Sequence, residues 1–197
     1  MNKSTLKQIL TIFYRSFALL PILFMSICVS SCNNDNEENP TTNIITLSSE
    51  TFGNQPFYTY GYSFEQEKFL QRISSGSEID IYLAEVLNPM GELIAVEFST
   101  NTVSESTFGF YLNAEFNNET SASDYYTKYI DADFPEYSSL SDTIKVFQVY
   151  TFRTWKSNFV KFWIKDLKLF YSADKPDYYK VDIEYFIQRD GTEKLEN

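Results

Sequence analysis

Apolar and polar residues alternate in short runs along most of this chain, and turn residues separate the runs. The clearest run is residues 178–188, in which apolar residues take every second place from Val181 to Ile187. Such alternation gives a strand one face for a core and one face for water. The predicted strands are residues 44–49, 57–64, 78–87, 92–100, 108–116, 144–152, 158–171 and 178–188. The pattern therefore predicts an all-β domain, built as a β-sandwich or a related set of antiparallel sheets.

Two segments between these strands have other signatures. Asn88-Pro89-Met90-Gly91 places proline second and glycine fourth in a turn, which predicts a hairpin over residues 78–100. Residues 121–130 are predicted to form one short helix with Ser121 or Ser123 as its cap. A polar loop, residues 131–142, follows the predicted helix.

The first 31 residues have the pattern of a secretory signal. Basic residues and no acidic residue precede an apolar stretch, residues 17–29, that is shorter than the roughly 20 residues needed to span a bilayer. The stretch ends in Val29-Ser30-Ser31-Cys32, the pattern of a bacterial lipobox, in which small residues precede a lipid-accepting thiol. We expect cleavage after Ser31 and lipidation of Cys32. An ordinary signal peptide with a coincidental cysteine is the alternative.

Residues 32–43 are polar and acidic, which predicts a flexible tether before a single β-rich domain of residues 44–197. The tether resembles the acidic segment that sends lipoproteins of Bacteroidetes-type bacteria to the cell surface. A plain spacer is the alternative. The expected location is the outer membrane, with the lipid-anchored domain facing the cell exterior.

Charge and residue counts exclude several functions. The chain has a net charge of −11, and loss of the basic signal segment makes the domain more negative, at −14. Such a surface repels nucleic acid. The chain has no histidine, which removes Ser-His-Asp catalysis, the usual zinc sites and bis-histidine haem ligation. We therefore expect a protein that is not an enzyme, with a carboxylate-based hydrolase as a less favoured alternative.

The aromatic residues supply the candidates for ligand binding. Tyr58, Tyr60 and Tyr62 alternate, so their phenol rings are predicted to lie on one face of a strand. They would stack on a sugar or a haem, or else pack against neighbouring strands. Trp155 is predicted in the turn before the strand that holds Trp163, and an exposed Trp155 would be a further ligand contact. Trp163 is predicted to lie in the core.

Two polar motifs carry weaker signals. Asp142-Thr143-Ile144 matches a short pattern glycosylated on threonine in exported Bacteroidetes proteins. Asp131-Ala132-Asp133, with Glu136 nearby, offers oxygen atoms to calcium, but the spacing lacks the glycine and terminal glutamate of an EF-hand loop. A solvated acidic loop is the favoured interpretation, and no metal site is predicted.

Residues 149–164, VYTFRTWKSNFVKFWI, resemble a segment of the HmuY-like surface lipoproteins of Bacteroidetes. In that family a strand ends in threonine, turns, and resumes around an aromatic–x–Lys–x–x–apolar pattern. The matching residues here are Thr154, Phe159, Lys161 and Ile164, while Ser157 stands where a turn glycine is expected. The C-terminal segment VDIEYFIQRDGTEKL is similar to the closing strand of the family, and Ser63-Phe64-Glu65 and Ile79-Asp80-Ile81 are similar to its opening strands.

The resemblance implies an all-β, surface-anchored binding protein, and the best-known members of the family capture haem. Because histidine is absent, haem would need other axial ligands. Met90, the single methionine after the signal segment, and a tyrosine phenolate are the candidates. The leading hypothesis is a lipoprotein that captures haem, a glycan or a peptide for an outer-membrane transporter of the TonB-dependent type. A structural or adhesive surface lipoprotein is the alternative.

Overall fold

The computed structural model describes residues 43–53, 58–72, 78–100, 108–132 and 136–195. Within these ranges the chain forms ten strands and one helix. The strands are β1 (Asn43–Ser48), β2 (Thr59–Ser63), β3 (Lys68–Arg72), β4 (Tyr82–Leu87), β5 (Leu93–Ser99), β6 (Gly109–Glu115), β7 (Leu140–Thr143), β8 (Gln148–Arg153), β9 (Phe159–Phe170) and β10 (Tyr178–Gln188), and the helix, between β6 and β7, is α1 (Glu119–Lys128). The prediction of an all-β fold with one short helix is confirmed.

All strand pairs in the described ranges are antiparallel, and these strands form three sheets. The largest sheet has the order β1-β10-β9-β8-β6, a second has the order β4-β5-β7, and β2 and β3 form a two-stranded hairpin. The main core lies between the largest sheet and the other two, because its buried residues come from all three. Phe98 of β5, for example, makes edge-on ring contacts with Tyr150 of β8 at 5.7 Å and Phe162 of β9 at 5.3 Å.

The second face of the largest sheet is covered by α1. Since side chains alternate along a strand, Val160 and Phe162 face the main core, and Trp163 faces the helix. Trp163 packs with Ala122 and Tyr126 of α1 and is buried, as predicted. In the described ranges, no helix has the length and hydropathy to cross a membrane.

The predicted helix cap is wrong by three residues or more. The side-chain Oδ1 of Asn118 accepts a hydrogen bond from the backbone N–H of Ser121 at 2.9 Å, so Asn118 is the cap. The helix therefore begins at Glu119 and ends at Lys128, earlier at both ends than the predicted 121–130.

Each of the eight predicted strands is present, seven of them with changed ends and β10 with the predicted ends, and two strands were missed. The strand predicted over 144–152 starts at Gln148, because Phe147 has a φ of 68°, which a strand does not accept. The missed strands are β3, which lacks strict alternation, and β7, which lies at the end of the predicted loop. Ser157, in the β8–β9 turn, has a φ of 63°, the conformation that favours the glycine expected there. Phe57 lies outside the described residues.

Candidate functional site

A cleft of about 670 Å³ lies where β1 ends. The antiparallel register pairs Ser48 of β1 with Lys180 of β10, so the chain leaving β1 emerges beside the β9–β10 loop. Of the described residues that line the cleft, most belong to residues 48–53 and 174–178, and the others are Tyr60 of β2 and Glu85 of β4. Its volume lies within the range of about 300–1,000 Å³ that is usual for small-molecule sites.

Aromatic rings form part of the cleft wall. The ring of Phe52 lies 4.9 Å from that of Tyr60 and 5.6 Å from that of Tyr58, measured between centroids. Tyr60 is 42% exposed, although it lies in a strand. Tyr178, which also lines the cleft, stacks on Phe170 with the planes nearly parallel and the centroids 5.3 Å apart. The wall thus offers large ring surfaces held by neighbouring rings.

Carboxylates exceed positive charges in the cleft lining. Among the described residues, the lining contains Glu50, Glu85, Asp174 and Asp177 against Lys175, which is an excess of three negative charges. The Nζ of Lys175 lies 2.8 Å from Oε1 of Glu50. The charge balance favours a neutral or cationic ligand over an anionic one.

The carboxylate of Glu85 is oriented by its neighbours. Ser49 Oγ donates to Glu85 Oε1 at 3.1 Å, and the same hydroxyl accepts from the backbone N–H of Tyr179 at 3.0 Å. The Glu85 side chain is exposed as a whole. Neighbouring protein atoms nevertheless desolvate its carboxyl group in part, and this desolvation raises the pKa of the group. Ser49 itself is fully buried, so its hydroxyl positions Glu85 and is shielded from a ligand.

The structure separates the three alternating tyrosines. Tyr60 lines the cleft, and Tyr58 contacts Phe52 beside it. Tyr62 instead lies in the main core, where its hydroxyl is 2.8 Å from that of Tyr185. A ligand in the cleft can therefore reach Tyr60, whereas Tyr62 packs within the protein.

Met90 and Trp155 lie at opposite ends of the domain. Met90 is 80% exposed in the β4–β5 turn, which is on the cleft side because the neighbouring Ile94 carbonyl oxygen lies 3.5 Å from the Tyr179 hydroxyl. Trp155 is 49% exposed in the β8–β9 turn. Strand β9 separates this turn from the cleft, and its twelve residues span roughly 35 Å. The structure therefore does not bring Met90 and Trp155 together, and neither lines the cleft.

Thr143, the predicted glycosylation site, is not part of the cleft lining. Thr143 is exposed at the end of β7, where it pairs with Glu97, while the following Ile144 is buried. Cys32 and Asp133 lie outside the described residues. In the part of the chain that the structure describes, no group of three or more carboxylate, histidine or cysteine side chains is placed to hold a metal ion.

At the end opposite the cleft, polar groups are bonded within the protein. Glu65, in the β2–β3 turn, accepts hydrogen bonds from Thr154 Oγ1 at 2.9 Å and Asn158 Nδ2 at 2.8 Å. Arg189 donates to the Phe64 carbonyl oxygen at 3.2 Å and pairs with Glu67. These contacts hold the β2–β3 turn, the β8–β9 turn and the end of β10 together.

Asp80 is the buried acid of that end, with an exposed fraction of 2%. Its Oδ2 accepts from the backbone N–H of Phe64 at 2.8 Å and from Ser63 Oγ at 3.3 Å. Its Oδ1 has no hydrogen-bond partner in the described part of the chain. Burial raises the pKa of the Asp80 carboxyl to about 6, although these hydrogen bonds act in the opposite direction.

Lys161 is fully buried beneath α1. Its Nζ donates to the carbonyl oxygen of Tyr129, the C-cap residue of the helix, at 3.1 Å, and lies 5.2 Å from the ring centroid of Tyr126. A cation is stabilised at this position by the negative end of the helix dipole. Burial nevertheless lowers the pKa of the Lys161 ammonium to about 8. The lysine that matches the family pattern therefore lies under the helix and outside the cleft.

Sequence reasoning missed most of the cleft. Phe52, Glu85 and Tyr178 were not candidates, because each lies in a segment that looks like an ordinary strand or loop. The available signal was the charged loop containing Asp174-Lys175-Pro176-Asp177. Its partner segment lies about 125 residues earlier, as the Lys175–Glu50 contact shows, and no local pattern gives that pairing.

Neither the models of known protein families nor the curated proteins gave a match to this chain. The resemblance to HmuY-like lipoproteins therefore stays a prediction from the quoted motifs.

Proposed function

We propose that this protein is a lipid-anchored, non-enzymatic surface protein that captures a ligand in the cleft at the end of β1. One observation carries the proposal: the cleft lies at the far end of β1 from Asn43, where the tether joins the domain. A six-residue strand advances about 17 Å over its length. The cleft and the point at which the predicted tether enters the domain are therefore separated by the length of β1.

The chemistry of the cleft supports binding in preference to catalysis. The Ser49 hydroxyl, which donates to the Glu85 carboxylate, is fully buried and so is poorly placed to attack a substrate. Aromatic rings and fixed carboxylates instead give a surface that recognises shape and charge. The proposed partner is an outer-membrane transporter of the TonB-dependent type, to which the ligand would be passed.

Haem is a further candidate ligand, and the cleft does not favour it. Haem carries propionate groups, which would enter a lining that already has an excess of negative charge. Met90, a possible axial ligand, is in a turn outside the cleft lining. Haem titration gives a direct test, because ligation in either redox state shifts the Soret band.

An adhesive role is the second candidate, and exposed apolar side chains favour it. Leu87, Met90 and Ile94 of the β4–β5 hairpin are all more than half exposed, and the hairpin lies on the cleft side of the domain. Adhesion to a protein partner would depend on these residues, whereas ligand capture would depend on Tyr60 and Glu85.

Two measurements test the proposal. Labelled palmitate should enter the wild-type protein and fail to enter the Cys32→Ala variant, and incorporation into that variant would refute the anchor. A panel of small ligands should give at least one whose binding is weakened by Tyr60→Ala and unchanged by Trp155→Ala. If Trp155→Ala weakened binding and Tyr60→Ala did not, the cleft would be the wrong site.

A further inference from the structure

We propose that the ligand enters the cleft through an organic ammonium group, so that the ligand class is a small alkylamine or a lysine side chain. The proposal rests on the proposed function, since it names the ligand of the same cleft. The charge of the lining, its ring surfaces and the positions of two lysines of the chain itself all support it.

The charge of the lining is the first argument. The excess of three carboxylates lies in a concave site, and the low-dielectric walls of a cleft strengthen its field. An anion would be repelled, and a neutral ligand would gain nothing from the excess charge. An ammonium group gains an ion pair and a charge-assisted hydrogen bond from the same carboxylates.

The rings supply a second attraction of the same sign. The face of an aromatic ring carries partial negative charge, so an ammonium group near it is stabilised by a cation–π interaction. Phe52, Tyr60 and Tyr178 all line the cleft, and the rings of Phe52 and Tyr60 are in contact. Rings and carboxylates in one cavity form the combination that recognises alkylammonium groups, whose carbon chain also contacts the rings.

Two lysines of the chain already occupy such positions at this end of the domain. The Nζ of Lys175 binds Glu50 at 2.8 Å on the cleft wall. The Nζ of Lys180 lies 5.0 Å from the ring centroid of Phe170 and 5.8 Å from that of Tyr178. Carboxylates and rings of this region thus bind ammonium groups within the protein itself, and we infer that they do so for a ligand.

Glu85 and Tyr60 are the two residues on which binding should depend most. Glu85 is fixed by Ser49, so little conformational freedom is lost when its carboxylate pairs with a cation. Tyr60 is the most exposed of the three described aromatic side chains that line the cleft, because Phe52 and Tyr178 are half-buried. The two act by different forces, which lets substitutions separate charge from ring contact.

The test is calorimetric titration of the full-length protein, purified from membranes in mild detergent. The probes are spermidine, a lysine-containing peptide, the same peptide with acetylated lysines, and a neutral oligosaccharide. We expect the first two to bind and the last two to bind at least about tenfold more weakly, which corresponds to about 1.4 kcal/mol. The amine and peptide arms distinguish the two sources of the ammonium group.

Three variants locate the interaction. Glu85→Gln should weaken spermidine binding about tenfold, and Tyr60→Leu, which keeps an apolar side chain, should weaken it about threefold. Asp124→Asn is the matched control, because it removes one exposed carboxylate on α1 and leaves the cleft intact. Asp124→Asn should change the affinity less than twofold at physiological ionic strength, where screening limits distant charges.

The outcomes separate failure of this inference from failure of the proposed function. If Asp124→Asn weakened binding as much as Glu85→Gln, general attraction to an acidic protein would explain the result and the inference would be overturned. If the oligosaccharide or haem bound and Tyr60→Leu weakened that binding, the ligand would not belong to the amine class. The cleft would still be the ligand site. If every probe bound equally well to wild type and to both cleft variants, both proposals would fail.

Discussion

At the end of the domain where β2 turns into β3, carboxylates and hydroxyls are bonded to one another, whereas at the end where β1 stops they line a cleft. Glu65 accepts hydrogen bonds from two partners on the β8–β9 turn, and Asp80 is buried among backbone groups. Glu85 at the other end is held by a single serine and is open to solvent. Both ends contain acids and aromatic rings, yet they use them differently.

The difference follows from the free energy of burying polar groups. A buried carboxylate costs several kcal/mol unless hydrogen bonds compensate it, so such a group is committed to the fold. An exposed carboxylate contributes little to stability and remains available to a ligand. Substitutions at the β2–β3 end should therefore reduce stability, and substitutions at the cleft should reduce binding.

The largest effect is expected within one strand, from Tyr62 and Tyr60. Tyr62→Ala should lower the free energy of unfolding by about 3–5 kcal/mol, because it leaves a cavity in the main core. Tyr60→Ala should lower it by less than about 1 kcal/mol, since its ring is partly exposed. Urea denaturation gives both values. Equal losses would show that Tyr60 belongs to the core and not to a binding surface.

The second effect is a pH dependence from Asp80. Its pKa is raised from 3.8 to about 6 in the folded state, so the protonated form is favoured by folding. The resulting stabilisation is complete below pH about 4 and is lost as the pH rises through about 6. Asp80→Asn lacks this titration. As the pH rises from 3.5 to 7.5, we expect the free energy of unfolding of wild type to fall by about 2–3 kcal/mol relative to that of Asp80→Asn.

Urea denaturation of wild type and Asp80→Asn at several pH values measures this relative fall. The difference between the two proteins isolates Asp80 from the other acids, whose own titrations are common to both. A constant difference across the pH range would contradict the prediction. Glu85→Gln is the control from the cleft end.

A third effect should come from Glu65. Glu65→Ala removes the acceptor for Thr154 and Asn158 and should lower the free energy of unfolding by about 2 kcal/mol. Glu65→Gln, which keeps one acceptor oxygen, should lose less. Thermal unfolding followed by circular dichroism gives the order of the three proteins. A stable Glu65→Ala variant would show that the two turns are held together by other contacts.

The smallest effect is expected at the cleft itself. Glu50→Gln removes the partner of Lys175 in an exposed ion pair, and such pairs contribute little to stability. We expect the unfolding midpoint to stay within the error of the denaturation measurement. A shift as large as that of Glu65→Ala would remove the distinction between the two ends.

These two ends also differ in how far the sequence predicts them. Alternation predicts β10 with its exact ends and places Trp163 in the core, because both depend on local periodicity. It does not predict the cleft, because Ser48 meets Lys180 only after two distant strands have paired. The same limit applies to Tyr60 and Tyr62. They share a face of the strand by alternation, but tertiary packing decides which ring is covered.

The start of α1 is difficult to predict for the opposite reason, because the local sequence offers too many candidates for the cap. A serine-rich segment offered several possible caps, and the one used, Asn118, lies just before it. The choice depends on which side chain reaches the third amide along the chain, and that depends on where β6 ends.

The burial of Lys161 makes it a natural reporter of motion in α1. Amine-reactive reagents modify amines that are in contact with solvent. Burial is what lowers the pKa of Lys161, so the shift is lost once the side chain meets solvent, and Lys161 then reacts as an ordinary exposed lysine does. It meets solvent only when α1 lifts from the sheet, because its side chain is fully covered in the folded state. The rate at which a dilute acylating reagent modifies Lys161, relative to the exposed Lys128, therefore measures how often the helix opens.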